Sequence, residues 1–166
     1  MPKKTLLKVF AVLAVAAIAF ASFTSLGGKD KVSAESVAGL PAVTANAGEA
    51  PTITPPTGAA PATLQTQDII VGTGAEVQPT STLTVHYTLM TWSNGALIES
   101  SWSGGQPATF PLSGVITGWQ EGLPGAKVGG RRLLVIPADK GYGPNGSGPI
   151  GPNETLIFVV DIIAVS

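Results

Sequence analysis

Few residues in this chain are equipped for covalent chemistry. It holds one histidine, His86, and no cysteine. Thiol nucleophiles, disulfides, thiolate metal sites and a lipidated cysteine are therefore excluded. A histidine-based metal cluster lacks its ligands. His86 with Ser100, Ser101 and one of the acids could form a nucleophile–base set. No G-x-S-x-G elbow accompanies them, however. His86 also lies on the polar side of an alternating segment, where a solvated or hydrogen-bonded histidine is the simpler reading. Gly72-Thr-Gly74 is not followed by a helical pattern, so a phosphate cradle is not indicated. Arg131-Arg132 reads as a pair of strand-edge charges. Nine basic against ten acidic residues give a net charge of −1, with no basic stripe for nucleic acid.

What remains is an apolar set in unusual places. Ile98-Glu99 ends a strand, Phe110 lies between prolines, and Val115-Ile116 precedes Gly118-Trp119 at the entry to a helix. Tyr142 stands in Gly141-Tyr-Gly-Pro144, and Phe158 lies in a long apolar run. An ordinary core accounts for Phe158 and Trp119. It accounts poorly for a lone tyrosine in a glycine-rich loop, or for Val-Ile at a helix entry. The candidates that remain are a small β-rich catalyst or a binding module.

The elements that must position these residues are mostly strands. Charged residues make up only 11% of the chain, while 21 Gly and 14 Pro weaken helix interiors. Leu83, Val85, Tyr87 and Leu89 alternate with Thr82, Thr84, His86 and Thr88, the period of a strand with one buried face. Asn94-Gly95 signals a hairpin turn, with a returning strand over 96–100. Residues 131–136 form a third strand, closed by Pro137. Residues 155–165 are apolar at nearly every position, which predicts a central strand covered on both faces. Residues 68–71 form a further strand before Gly72. The helix is short, running through Gly118-Trp-Gln-Glu-Gly122 until Pro124 and Gly125 stop it. Residues 140–153, rich in Gly and Pro, make a long binding-type loop. Together they predict an α+β domain, a five- to six-stranded antiparallel sheet wrapped around one short helix.

That domain is expected over residues 64–166, which carry seven of the ten aromatic residues. Seven acidic and four basic side chains leave it at −3. Residues 1–26 have the form of an export signal: Lys3, Lys4 and Lys8 precede an uncharged run to Leu26, with a small-x-small pattern at Ala19-Phe-Ala21. A retained signal anchor is the rival reading. The many small residues favour cleavage. Either way the remainder is exported, secreted or tethered at the outer face of the cytoplasmic membrane, with membrane contact only through this segment. Residues 27–63, rich in Pro, Ala and Thr, read as a disordered spacer with little to bury.

Several strings, taken in order, carry a resemblance. Thr84-Val-His-Tyr-Thr88, Asn94-Gly-Ala-Leu-Ile-Glu-Ser-Ser-Trp102, Gly114-Val-Ile-Thr-Gly-Trp-Gln-Glu-Gly122, Lys127-Val-Gly-Gly-Arg-Arg132, Gly141-Tyr-Gly143 and Asn153-Glu-Thr-Leu-Ile-Phe158 are similar to those of the FKBP-type peptidyl-prolyl cis-trans isomerases. Each string alone is weak, but the ordered series across about residues 68–165 is specific. The resemblance implies a pocket between helix and sheet, with Trp119 as the floor beneath a substrate proline. Tyr87, Phe110, Val115, Ile116 and Phe158 would be its walls. The Ile116 N–H and the Tyr142 hydroxyl would face substrate carbonyls, and Ile150 would close the loop side. Ile98 and Glu99 stand where the family usually has Phe-Asp, Ala108 replaces a common aromatic, and Leu89 replaces a glycine.

The activity implied is rotation about Xaa-Pro bonds of exported proteins, which needs no nucleophile, metal or cofactor. The expected partners are proline-containing polypeptides, with FK-class macrolides such as rapamycin as inhibitors. Nucleic acid is not among them. The dimerising helical extension of some relatives has no counterpart in the sequence, so a monomer is expected. A catalytically weak prolyl-binding or chaperone module on the same fold is the alternative. An unrelated β-rich adhesion domain would share the signal and spacer but not the ordered strings.

Overall fold

The computed structural model describes residues 37–166, so the expected export segment and the first part of the spacer lie outside the described residues. Six antiparallel strands form one sheet: β1 (Gln65–Ile70), β2 (Thr82–Thr91), β3 (Leu97–Ser100), β4 (Ala108–Pro111), β5 (Arg131–Ile136) and β6 (Leu156–Val165). Their order is β1-β5-β6-β2-β3, with β4 pairing the first half of β2 beyond β3. Strand β4 shows no apolar period in the sequence, where Pro107 precedes it and Pro111 ends it. At the β2–β3 turn Gly95 takes φ 64°. Asn94 Oδ1 there accepts from Thr91 Oγ1 (2.6 Å) and from the Ala96 N–H (2.9 Å).

Alternation sorts the sheet into two apolar faces. Leu83, Val85, Leu89, Leu134, Ile136, Leu156, Phe158, Val160 and Ile162 share one core with Trp119 and Leu123 from the helix side. Leu133, Val135, Ile157, Val159, Met90 and Trp92 form a second cluster on the outer face. The central strand is thus buried on both sides, as its unbroken apolar run requires.

The single α-helix among the described residues, α1 (Thr117–Gly122), has six residues, too few to be stable alone. Packing holds it, and its glycines allow the packing. A Cβ on Gly118 would sit 2.7 Å from Ile136 Cδ1 and 2.8 Å from Cγ1, and one on Gly122 would sit 2.5 Å from Leu134 Cδ2. Two glycines four apart share one helix face, so the backbone rests directly on β5.

Two expectations need correction. Arg131 and Arg132 are not strand-edge charges, since β5 lies between β1 and β6. Arg131 is fully buried on the outer face. Arg132 pairs with Asp68 (2.6 Å) and donates to the Gly122 and Pro124 carbonyls, which leave the C-terminal end of α1. The expected spacer is also not free over its described part. Val43 and Ile53 are buried at 2% and 7% exposure and pair with each other in an antiparallel bridge. The segment is apolar at few positions, but those few meet the outer face of the sheet.

Candidate functional site

Between α1 and the sheet lies a cavity of about 480 Å³. Strand β2 supplies Tyr87 and Leu89 to it, β4 supplies Phe110, and β6 supplies Phe158. The turn into α1 contributes Gly114, Val115 and Ile116. The ring of Trp119, only 4% exposed, is the hub. Tyr87, Phe110 and Phe158 stand edge-on to it at centroid distances of 5.8, 5.9 and 5.3 Å and interplanar angles of 80°, 89° and 83°. Edge-to-face contact sets a ring's positive rim against its neighbour's negative face, so the four rings hold one another in place. The Trp119 indole Nε1 is buried and has no hydrogen-bond partner among the described residues.

Polar groups at the cavity are few. Tyr87 donates its hydroxyl to Glu99 Oε1 at 2.6 Å. Burial pushes the Tyr87 phenol well above the ordinary tyrosine range, and the hydrogen bond and negative charge of Glu99 push it further. Glu99 points this way because it pairs with Leu89, which faces the cavity. Leu89 pairs with Glu99 and Met90 with Leu97, leaving Ile98 without a partner across the strand. The extra residue lets Ile98 pack on the helix side as well. Tyr142 precedes the 3-10 turn Gly143–Asn145 and is 38% exposed. Its hydroxyl bonds to nothing among the described residues. Ile116 is the N-cap of α1. Its carbonyl accepts from the N–H groups of Trp119 (3.0 Å) and Gln120 (3.2 Å). Its own N–H has no acceptor among the described residues and sits beside the cavity.

Of the residues singled out in the sequence, Tyr87, Glu99, Phe110, Val115, Ile116, Trp119, Tyr142 and Phe158 come together here. Ile98 packs against the core instead of lining the cavity, and Ile150 is buried in a tight turn closed on Ser147. Leu89 and Gly114 also line the cavity and were not singled out. Leu89 was within reach, since the alternation that turns Tyr87 inward turns Leu89 inward too.

The possible nucleophile set does not assemble. His86 Nδ1 lies 3.0 Å from Ser101 Oγ, but that oxygen also accepts the Tyr87 N–H at 2.9 Å. Asp161, opposite His86 in the β2–β6 register, has both oxygens bound to Arg131. His86 is hydrogen-bonded and stacked on Trp102 at 3.9 Å, a structural role. No group of three metal-ligating side chains occurs among the described residues.

The family described as FKBP-type peptidyl-prolyl cis-trans isomerase matches residues 74–163. The chain is 50% identical over 116 residues to a probable FK506-binding protein of Corynebacterium glutamicum, covering 70% of this chain and 98% of the relative. It is 46% identical over 121 residues to an FK506-binding protein of Streptomyces anulatus, again 70% and 98%. Among solved structures it resembles FkpA from Escherichia coli with a TM-score of 0.59 and 38% identity, over 62% of this chain and 48% of that one.

Proposed function

This chain belongs to the FKBP-type peptidyl-prolyl cis-trans isomerase family, and on that premise we propose that it accelerates rotation of Xaa-Pro bonds in exported polypeptides by non-covalent stabilisation of the twisted amide in the Trp119 cavity. The barrier to rotation is about 18–20 kcal/mol, because the twisted state loses amide resonance. No bond is broken, so proton shuttles and nucleophiles have nothing to do. The twisted amide is less polar than the planar one, and a cavity walled by aromatic rings favours it over the ground state. The proline ring rests on Trp119 while the preceding residue turns. The Ile116 N–H and the Tyr142 hydroxyl hold the flanking carbonyls, which fixes the pivot. Each tenfold of rate needs about 1.4 kcal/mol of differential binding, so a few such contacts suffice.

The observation that supports this most is the ring of edge-on aromatics around Trp119, with unpartnered donors beside it. Cis–trans exchange of a short Xaa-Pro peptide, followed by NMR with the purified chain, tests the proposal. Exchange that accelerates with the protein and returns to the uncatalysed rate with rapamycin is the expected result. Rapamycin binding without acceleration would leave a prolyl-binding module. That reading is favoured at one point, Ala108, which stands two residues before Phe110 where the family commonly has an aromatic. Neither binding nor acceleration from a folded sample would refute the assignment. Export is part of the proposal on the strength of residues 3–26, and N-terminal sequencing of protein from the exported fraction tests it.

A further inference from the structure

The outer face of the sheet carries an interaction that the family resemblance does not account for, since the family match begins at residue 74. Residues 40–58 lie across this face. Thr44 and Thr52 bond through their backbones (3.1 Å), as do Thr54 and Ala42 (2.9 Å), so the segment folds back on itself as a small ladder. Val43 and Ile53 from this ladder enter the cluster of Met90, Trp92, Leu133, Val135, Ile157 and Val159. Farther along, the Gly58 carbonyl accepts the Trp92 indole N–H at 3.2 Å.

The other end is held by Arg131, whose side chain is 0% exposed. Its Nε and one terminal nitrogen take both oxygens of Asp161, each at 2.7 Å. The remaining bonds go to the segment: the Thr44 carbonyl (2.8 Å), Asn46 Oδ1 (2.9 Å) and the Glu49 carbonyl (2.6 Å). A guanidinium has five N–H donors. All are used, three of them on residues 44–49.

We propose that residues 40–58 are a docked strap belonging to the folded unit, that the outer sheet face is its docking surface, and that Arg131 is the clasp. A buried cation with three donors unmet is strongly disfavoured, and so is a six-residue apolar face in water. The sheet needs a cover there, and the chain supplies it. The folded unit therefore begins near residue 40 rather than at 64. The strap keeps an apolar surface, on the face opposite the catalytic cavity, from other polypeptides. None of this depends on the reaction assigned to that cavity.

Hydrogen exchange on the full chain in detergent micelles tests the docking directly. The Thr44 and Thr54 amides should exchange at least a hundredfold more slowly than in an unstructured chain. Ile53→Asp should bring both amides to the free-chain rate and raise binding of an apolar fluorescent dye several-fold. Thr57→Asp, at an exposed position of the same segment, should do neither. Free-chain exchange of Thr44 and Thr54 in the unaltered protein would overturn the proposal. So would dye binding by Ile53→Asp no greater than by Thr57→Asp. Should Ile53→Asp not fold, the exchange rates of the unaltered protein decide alone.

Discussion

Replacing Gly118 by alanine sets two local rules against each other. In a helix the change ordinarily stabilises by about 1 kcal/mol, because glycine loses more backbone freedom on folding. Here the new methyl would lie 2.7–2.8 Å from two atoms of Ile136, and closer to a third, where ordinary contact is 3.4–4 Å. Ile136 is wholly buried and cannot swing aside. Relief must come from α1 moving off β5 by roughly 0.6–1 Å, and overpacking of this kind costs about 1–3 kcal/mol. The steric effect at least cancels the helix gain, leaving a net loss of up to about 2 kcal/mol. For a folded unit of this size that is up to roughly 10 °C in Tm. The same movement carries Trp119 and Ile116 away from the sheet. A misplacement near 1 Å can cost about a hundredfold in rate, so kcat/KM in the Xaa-Pro exchange assay should fall at least about tenfold. Trimming the obstacle provides the control. Gly118→Ala with Ile136→Ala should be less destabilised than the sum of the single changes, with a coupling of about 0.5–3 kcal/mol. A Gly118→Ala protein with raised Tm and full activity would refute the close helix–sheet approach and the site built on it.

Trp119→Ala should abolish measurable catalysis and macrolide binding, and should destabilise by about 3–5 kcal/mol, read by denaturant titration. Tyr142→Phe should leave Tm unchanged, since its hydroxyl holds no internal bond, while kcat/KM falls about two- to tenfold, the worth of one hydrogen bond to substrate. Alkaline stability should follow Tyr87. Its phenol ionises later when folded than when unfolded, where its value is 10.0, so its contribution is complete below pH 10 and declines as pH rises beyond. Lys140, raised by its bond to Glu121, tilts the same way from an exposed site where solvent screens it. Tyr87→Phe should flatten part of the decline in a series of melts above pH 10. An unchanged slope would show that Tyr87 is not the group responsible.

What the sequence determined by itself was everything with a short period. Two-residue alternation fixed β2 and turned Tyr87 inward. Asn94-Gly95 fixed the hairpin, and Pro124-Gly125 ended the helix. The ordered strings identified the family and most of the cavity wall. These readings rest on local backbone preferences, and neighbours in sequence suffice to express them. Other features depend on which surfaces meet, and only the tertiary structure decided them. The register of β2 with β3 sets Glu99 opposite Leu89 and so beside Tyr87, and the bulge at Ile98 belongs to the same pairing. Gly118 and Gly122 look like weak helix residues until β5 is known to lie against them. Arg131 looked like a surface charge because its acceptors are Asp161, 30 residues away, and carbonyls more than 80 residues away. Strand β6, apolar on both faces, already required a cover on the outer side. That residues 40–58 are the cover was not legible locally, because Val43 and Ile53 are two isolated apolar side chains whose meaning comes entirely from the surface they reach.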